Sequence, residues 1–159
     1  MTARKDSAID PPHYESGAIK EQIVPALQTA FPDDILDVQT MPVDETVTVV
    51  RVEGVRQIIR HLVEELDVLH LSTITGQEIE EGIELLYHFW RGSGLTLRVV
   101  LPLDALEVAT VTDIIPGAAF YEREIVEMLG VTFAGHQDPL RLFLPDDWDG
   151  PPPLRKERS

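Results

Sequence analysis

Three consecutive strand-like stretches with very short connections constrain the fold of this chain more than any other feature. Residues 68–77 alternate apolar and polar side chains, and residues 83–90 and 95–101 are rich in aliphatic and aromatic ones. Only the tight turn at residues 91–94 separates the second stretch from the third. A parallel crossover needs about a dozen or more residues. The short connections therefore predict an antiparallel meander.

An amphipathic helix is predicted just before this meander. Its apolar positions recur every three or four residues and form one stripe: Val55, Ile58, Ile59, Leu62, Val63 and Leu66. Another helix is expected from about Ala18, with Pro25 kinking it or marking a start within it. Strand-like residues 35–39 and 46–52 follow, joined by a hairpin turn. The pattern predicts an α+β domain in which helices pack on a mixed or antiparallel sheet.

Composition excludes several classes of function. The chain has 159 residues, which suits one domain, and 28 acidic against 13 basic residues give a net charge of −15. Because a polyanion would be repelled, nucleic acid is excluded as a partner. The chain has no cysteine, so it offers no disulfide, no catalytic thiol and no thiolate for an iron–sulfur cluster. No apolar run approaches the roughly 20 residues that span a bilayer, and no secretory signal is predicted.

The two ends of the chain differ from its middle. We expect a mobile N-terminal segment at residues 1–16, the α+β domain at residues 17–134 and an extended Pro-rich arm at residues 135–159. Pro145 and residues 151–153 exclude a regular helix or a central strand from this arm. The arm also carries apolar side chains that we expect to anchor it on a partner: Phe143, Leu144, Trp148 and Leu154.

A short helix before the arm carries a carboxylate among apolar residues. The pattern predicts that this helix ends at Gly130, a residue type favoured just past a helix end. Glu122 falls inside an apolar arc that also contains Ala118, Ala119, Tyr121, Ile125, Val126, Met128 and Leu129. A buried carboxylate needs a cation or several donors. We therefore predict that Glu122 is buried and paired with a basic group.

Two interpretations of the charged residues remain open. In the first, Glu122 and His136 perform acid–base catalysis in a small free-standing enzyme. In the second, Glu122 pairs with an arginine, Glu124 and Glu127 are surface or interface charges, and His136 donates to a backbone carbonyl in an ordered loop. The five histidines lack the spacing of metal ligands, so no metal site is predicted.

The C-terminal quarter of the chain resembles a known signature. The residues that carry the resemblance are Glu122-Arg123-Glu124, Glu127-Met128-Leu129-Gly130, Phe133, Gly135-His136 and Pro153-Leu154-Arg155-Lys156. They resemble the C subunit (30 kDa subunit) of respiratory complex I, over Pro116 to Lys156. The block Leu142–Trp148 is most similar to the hydrogenase-type branch, which includes energy-converting membrane-bound hydrogenases and formate hydrogenlyases.

This resemblance implies a function and a set of contact residues. The family's subunit is non-catalytic and hydrophilic, and it bridges the large catalytic subunit and the iron–sulfur subunit of a membrane-associated oxidoreductase. The chain itself would hold no cofactor, because the iron–sulfur clusters and the quinone or nickel–iron site belong to those partners. It would be cytoplasmic and peripheral to the membrane. The implied interface with other subunits comprises Glu122, Arg123, Glu124, Glu127, His136, Arg141, Phe143, Leu144, Trp148, Leu154, Arg155 and Lys156.

Overall fold

A computed structural model describes Glu15, residues 17–137 and residues 141–157. A π-helical turn at Ile19–Ile23 leads into the first helix, and a short 3₁₀ turn at Val52–Gly54 precedes the second. The helices and strands are α1 (Val24–Ala30), β1 (Ile35–Met41), β2 (Glu45–Val50), α2 (Val55–Glu64), β3 (His70–Ile79), β4 (Gly82–Trp90), β5 (Gly94–Leu101), β6 (Glu107–Ala109), α3 (Ala118–Leu129) and β7 (Thr132–Ala134).

A five-stranded mixed sheet organises the domain. The strand order is β1-β2-β5-β4-β3. The predicted meander is confirmed, because β3 pairs antiparallel with β4 and β4 pairs antiparallel with β5. The β1–β2 hairpin is also antiparallel, and β2 joins the meander by parallel pairing with β5. The expected α+β class is therefore confirmed.

The core lies between the helices and one face of the sheet. Alternate residues of the strands, such as Tyr87 and Leu97, are buried together with Ile59 of α2 and Ile125 of α3. Alternation along the strands places polar side chains on the other face. There Glu84 bonds Gln77 and Arg98. Burial opposes the ionisation of Glu84, but these two bonds outweigh it and lower its pKa.

Several local boundaries differ from the sequence pattern. Pro25 lies in the first turn of α1, so it marks a helix start behind the π-helical turn. Pro116 precedes α3, whose N-cap is Gly117. Residues 103–115, for which the sequence pattern predicts no helix or strand, contain β6, which pairs in parallel with β7. This second, two-stranded sheet was not predicted.

The C-terminal residues do not show the extended course that was expected of an arm. The described residues 141–157 form turns, with neither helix nor strand among them. They return to the domain, where the Leu154 N–H donates to the Met128 carbonyl at the end of α3. The expectation for residues 1–16 lies outside the described residues except at Glu15. Within the described ranges, no helix combines the length and apolarity needed to cross a membrane.

Candidate functional site

Glu122 lies at the centre of a buried polar cluster on α3. Its side chain is 0% exposed. The Thr110 hydroxyl donates to Oε2 at 2.6 Å, and the Val111 N–H donates to Oε1 at 2.9 Å. Nδ1 of His136 lies 2.8 Å from Oε2. The predicted burial and the basic partner are confirmed, but the partner is a histidine and the arginine pairing was wrong.

His136 follows β7 in the chain and lies at the edge of this buried cluster. Its side chain is only 9% exposed. Because an ionised carboxylate can only accept, Nδ1 carries the proton that it shares with Glu122, and the expected bond to a backbone carbonyl is replaced by this one. The other ring nitrogen, Nε2, is buried and has no hydrogen-bond partner among the described residues.

Charged and phenolic groups surround the cluster. Arg56 donates to the Thr110 carbonyl at 2.7 Å and binds both carboxylate oxygens of Asp113, at 2.6 and 2.7 Å. These bonds lower the pKa of Asp113 to about 2 and raise the pKa of Arg56. Burial, reinforced by the charge of Glu122, raises the pKa of Tyr87, so this phenol stays protonated. Arg56 is therefore committed to Asp113 and to the loop that precedes α3.

Glu127 attaches the C-terminal residues to α3. Its carboxylate accepts the backbone N–H groups of Leu142, Phe143 and Leu144. Burial raises the pKa of Glu127, but these three N–H donors and the nearby Arg141 charge outweigh it, so the pKa is lowered. Arg123 donates to the Arg141 carbonyl at 3.1 Å. Glu127 thus holds a backbone turn against its own helix.

A second carboxylate holds the far end of these residues. Glu78 of β3 accepts from Nε of Arg155 at 2.8 Å and from the backbone N–H of Lys156 at 2.8 Å. Arg155 also donates to the Leu129 carbonyl at 3.3 Å. Arg155 and Lys156 therefore contact their own domain in this chain. Sequence reasoning missed Glu78, because its neighbours Glu80 and Glu81 make it resemble one of several solvated surface charges.

The remaining predicted interface residues stay largely exposed. Phe143 is 53% exposed, Trp148 39% and Leu154 59%. Phe143 packs edge to face on Phe120 of α3 with ring centroids 6.1 Å apart, although Phe120 was not predicted as a site residue. Leu144 is half-buried, and Glu124 is exposed on α3. The aromatic side chains are thus fixed by the backbone attachments while their rings face solvent.

A pocket of about 440 Å³ lies between α3, β7 and the C-terminal residues. Six predicted site residues line it: Arg123, Glu127, His136, Arg141, Leu144 and Trp148. A second pocket, of about 500 Å³, is lined by Arg56, Thr110 and Asp113 on the other side of the cluster. Among the described residues, no group of three or more histidine, aspartate or glutamate side chains could hold a metal ion.

Comparison with known proteins assigns a family to this chain. The family model described as the respiratory-chain NADH dehydrogenase 30 kDa subunit matches residues 48–159, which include the Glu122 cluster and both carboxylate attachments. The chain belongs to this 30 kDa subunit family. The expectation drawn from the signature residues is thereby confirmed at the level of the family.

Individual relatives agree with this assignment. The chain is 43% identical over 76 residues to the C/D subunit of NADH-quinone oxidoreductase from Acidiphilium cryptum, and 46% identical over 67 residues to that of a Psychrobacter species. The matches cover 46% and 42% of this chain. They span only 13% and 11% of those relatives.

Solved structures share the fold of this 30 kDa-type protein. The trypsin-resistant fragment (1–134) of Nqo5 superposes with a TM-score of 0.64 at 22% identity, covering 75% of this chain and 98% of that one. A chain of the membrane-bound sulfane sulfur reductase, an archaeal respiratory membrane complex, superposes with a TM-score of 0.69 at 27% identity. That alignment covers 80% of this chain and 78% of its counterpart.

Proposed function

We propose that this chain is a non-catalytic, hydrophilic subunit of a membrane-associated oxidoreductase of the complex I or energy-converting hydrogenase type. In this role it bridges the large catalytic subunit and the iron–sulfur subunit and supports electron transfer between cofactors that those partners hold. The match of residues 48–159 to the 30 kDa subunit family carries the proposal. The likeness to a chain of an archaeal respiratory membrane complex supports it.

The surface of the C-terminal residues supports an interface role. Glu127 and Glu78 hold residues 141–157 at two points, so the chain is ordered before any partner arrives. Ordering each backbone residue costs about 1–2 kcal/mol, and a pre-ordered segment avoids part of that cost on binding. Trp148 and Phe143 remain exposed, and aromatic side chains concentrate in binding hot spots. This combination suits a docking surface for a partner subunit.

Acid–base catalysis is a second candidate, favoured by one observation. Glu122 and His136 form a buried carboxylate–imidazole pair beside a pocket, which is how a general base is oriented. A nucleophilic mechanism also needs a hydroxyl or thiol within hydrogen-bond reach of Nε2. The described residues place none there, since Nε2 has no partner among them. The interface role therefore has the stronger support.

The proposed location follows from the same assignment. We place the chain at the cytoplasmic side of the cell membrane, bound peripherally through its partner subunits. The iron–sulfur clusters and the quinone or nickel–iron site of the complex would all lie in those partners.

Co-purification tests this function. The tagged chain is isolated from its own cells at near-physiological salt, in the full-length form and as Trp148→Ala. Trp90→Ala is the matched control, because Trp90 is also exposed but lies at the end of β4. We expect the full-length chain and Trp90→Ala to bring down a large catalytic subunit and an iron–sulfur subunit. Trp148→Ala should recover at least about tenfold less of the large subunit, since a hot-spot residue contributes about 2 kcal/mol or more.

Two results would contradict the proposal. One is the absence of both partner subunits from the full-length preparation. The other is equal recovery with Trp148→Ala and full-length chain, together with turnover of a substrate by the isolated chain that His136→Gln abolishes. The second result would establish the acid–base candidate in its place.

A further inference from the structure

We propose that Nε2 of His136 is the docking point for an acidic side chain of a partner subunit, which enters the 440 Å³ pocket between α3, β7 and the C-terminal residues. This inference rests on the proposed function and deepens it. It assigns one specific contact, which is made by a ring nitrogen of His136.

The geometry of His136 is the first argument. Glu122 accepts the hydrogen bond from Nδ1, so the ring is held in one orientation from inside the core. The opposite nitrogen, Nε2, is buried yet unpartnered among the described residues, and His136 lines the pocket. A buried polar atom without a partner is destabilising, and native proteins rarely leave one. The described residues therefore leave one hydrogen-bonding position unfilled, on a residue that lines the pocket.

The protonation chemistry of the ring is the second argument. With Nδ1 bonded to Glu122, Nε2 accepts a hydrogen bond when the ring is neutral and donates one when the ring is charged. An acid suits both forms, because a carboxylic acid can donate to neutral imidazole and a carboxylate can accept from imidazolium. The two descriptions differ only in the position of one shared proton. A hydroxyl or amide partner would match the site less well, because neither carries the negative charge that the arginines lining the pocket favour.

The lining of the pocket is the third argument. Arg123 and Arg141 place two cationic side chains in the lining of the pocket, although the net charge of the chain is −15. The acidic Glu127 also lines the pocket, but its carboxylate is occupied by three backbone N–H groups. The walls are otherwise largely apolar, formed by Val126, Val131, Phe133, Leu144, Trp148 and Pro152. Such a lining fits one carboxylate carried on an apolar stretch of a partner chain.

The first experiment uses the full chain and two matched peptides. Acetyl-Leu-Glu-Leu-amide and acetyl-Leu-Gln-Leu-amide are each titrated to about 20 mM, because so short a probe is expected to bind with roughly millimolar affinity. The ¹⁵N resonances of histidine rings are followed, with His136→Gln assigning the signal. We expect the glutamate peptide to shift the Nε2 resonance of His136 and the glutamine peptide to bind at least about tenfold more weakly. The ring of His88, on the other face of the sheet, should not move.

A failed titration overturns the inference. Equal binding of the two peptides would show that the charge is irrelevant, and no shift with either would show that the pocket takes no acidic side chain.

The second experiment examines the assembled complex. A density map of the complex isolated through this chain should show an aspartate or glutamate of a partner with an oxygen within about 3.2 Å of Nε2. In a pull-down at increasing salt concentrations, His136→Leu should weaken the binding of that partner by about tenfold or more. If the complex assembles but Nε2 faces solvent, a neutral group or residues 138–140 of this chain, the inference is wrong and the proposed function stands. If no complex forms, the proposed function itself is wrong.

Discussion

At the scale of single residues, Glu122 shows how a charge is accommodated inside this core. Its three donors come from different parts of the chain: the Thr110 hydroxyl and the Val111 N–H precede α3, and His136 follows β7. Each bond compensates part of the cost of removing a carboxylate from water. The cluster therefore ties the loop before α3 and the loop after β7 to one helix position. This makes Glu122 a structural residue whatever partner the chain meets.

Removing this carboxylate should destabilise the isolated chain. We expect Glu122→Ala to lower the free energy of unfolding by about 3–5 kcal/mol, because it leaves the His136 ring and two further donors buried without their acceptor. Glu124→Ala is the matched control on the same helix and should change stability by less than about 0.5 kcal/mol, since Glu124 is exposed. Urea unfolding followed by circular dichroism measures both. A loss below about 1 kcal/mol for Glu122→Ala would show that water or local rearrangement replaces the carboxylate.

At the scale of elements, the end of α3 determines how the chain turns towards β7. Gly130 has φ = 73°, a left-handed conformation that costs other residues energy. An added Cβ would also meet Cγ of Pro152 at 3.0 Å. We expect Gly130→Ala to lower the free energy of unfolding by about 1–2 kcal/mol.

The helix offers its own control at the other end. Gly117, the N-cap, has φ = −63°, and an added Cβ would meet nothing within 4 Å. Gly117→Ala should therefore be neutral or stabilising by up to about 1 kcal/mol, because it restricts the unfolded chain. Thermal and urea unfolding of the two variants give the comparison. Equal effects would mean that the left-handed cap is not what makes Gly130 necessary.

The attachment of residues 141–157 to α3 should depend on pH through Glu127. Its folded pKa lies below the ordinary value of 4.5, because the N–H donors favour the carboxylate. The contribution is therefore fully present above about pH 4.5 and is lost as pH falls through the lowered folded pKa. In a Trp90→Phe background, Trp148 is the single tryptophan and its fluorescence reports on the attachment. We expect an acid transition that Glu127→Gln removes or shifts; identical titrations would argue against this role.

Elements with a strong periodic pattern were predictable from the sequence. The apolar residues of α2 recur every three or four positions, and those of the meander strands tend to alternate with polar ones. Both patterns can be read from neighbouring residues in the sequence. By contrast, β6 and β7 have three residues each, too few to show any period. Their pairing, and the parallel pairing of β2 with β5, join segments distant in sequence. The burial of Glu122 followed from its helix position, but its donors did not, because Thr110 and Val111 lie in a loop.

At the scale of the whole molecule, one core serves the sheet and the helices α1, α2 and α3, and the C-terminal residues lie outside it. The buried hydrophobic cluster extends from Ile19 to Phe133. Residues 141–157 add backbone hydrogen bonds to Glu127 and an ion pair between Arg155 and Glu78, without contributing a buried hydrophobic side chain to the core cluster. His136 stands between the two parts, because it belongs to the Glu122 cluster and also lines the pocket.

Two truncated chains separate these contributions. A chain ending at Gln137 keeps the core and the Glu122–His136 pair, so we expect a cooperative melt close to that of the full-length chain. A chain ending at Gly135 loses only two residues more, yet one of them is His136. Its free energy of unfolding should be lower than that of the longer truncation by about 1–3 kcal/mol, since the buried carboxylate loses one of its three partners.

Calorimetry and urea unfolding of the same preparations decide the matter, with the chain ending at His136 as a further control that should match the one ending at Gln137. If the chains ending at Gln137 and at Gly135 both lose the cooperative transition, residues 141–157 belong to the folding unit. The two carboxylate attachments then stabilise the core itself. If all of them melt alike, His136 does not stabilise the domain, and the ring orientation required of a docking point would not be maintained by Glu122.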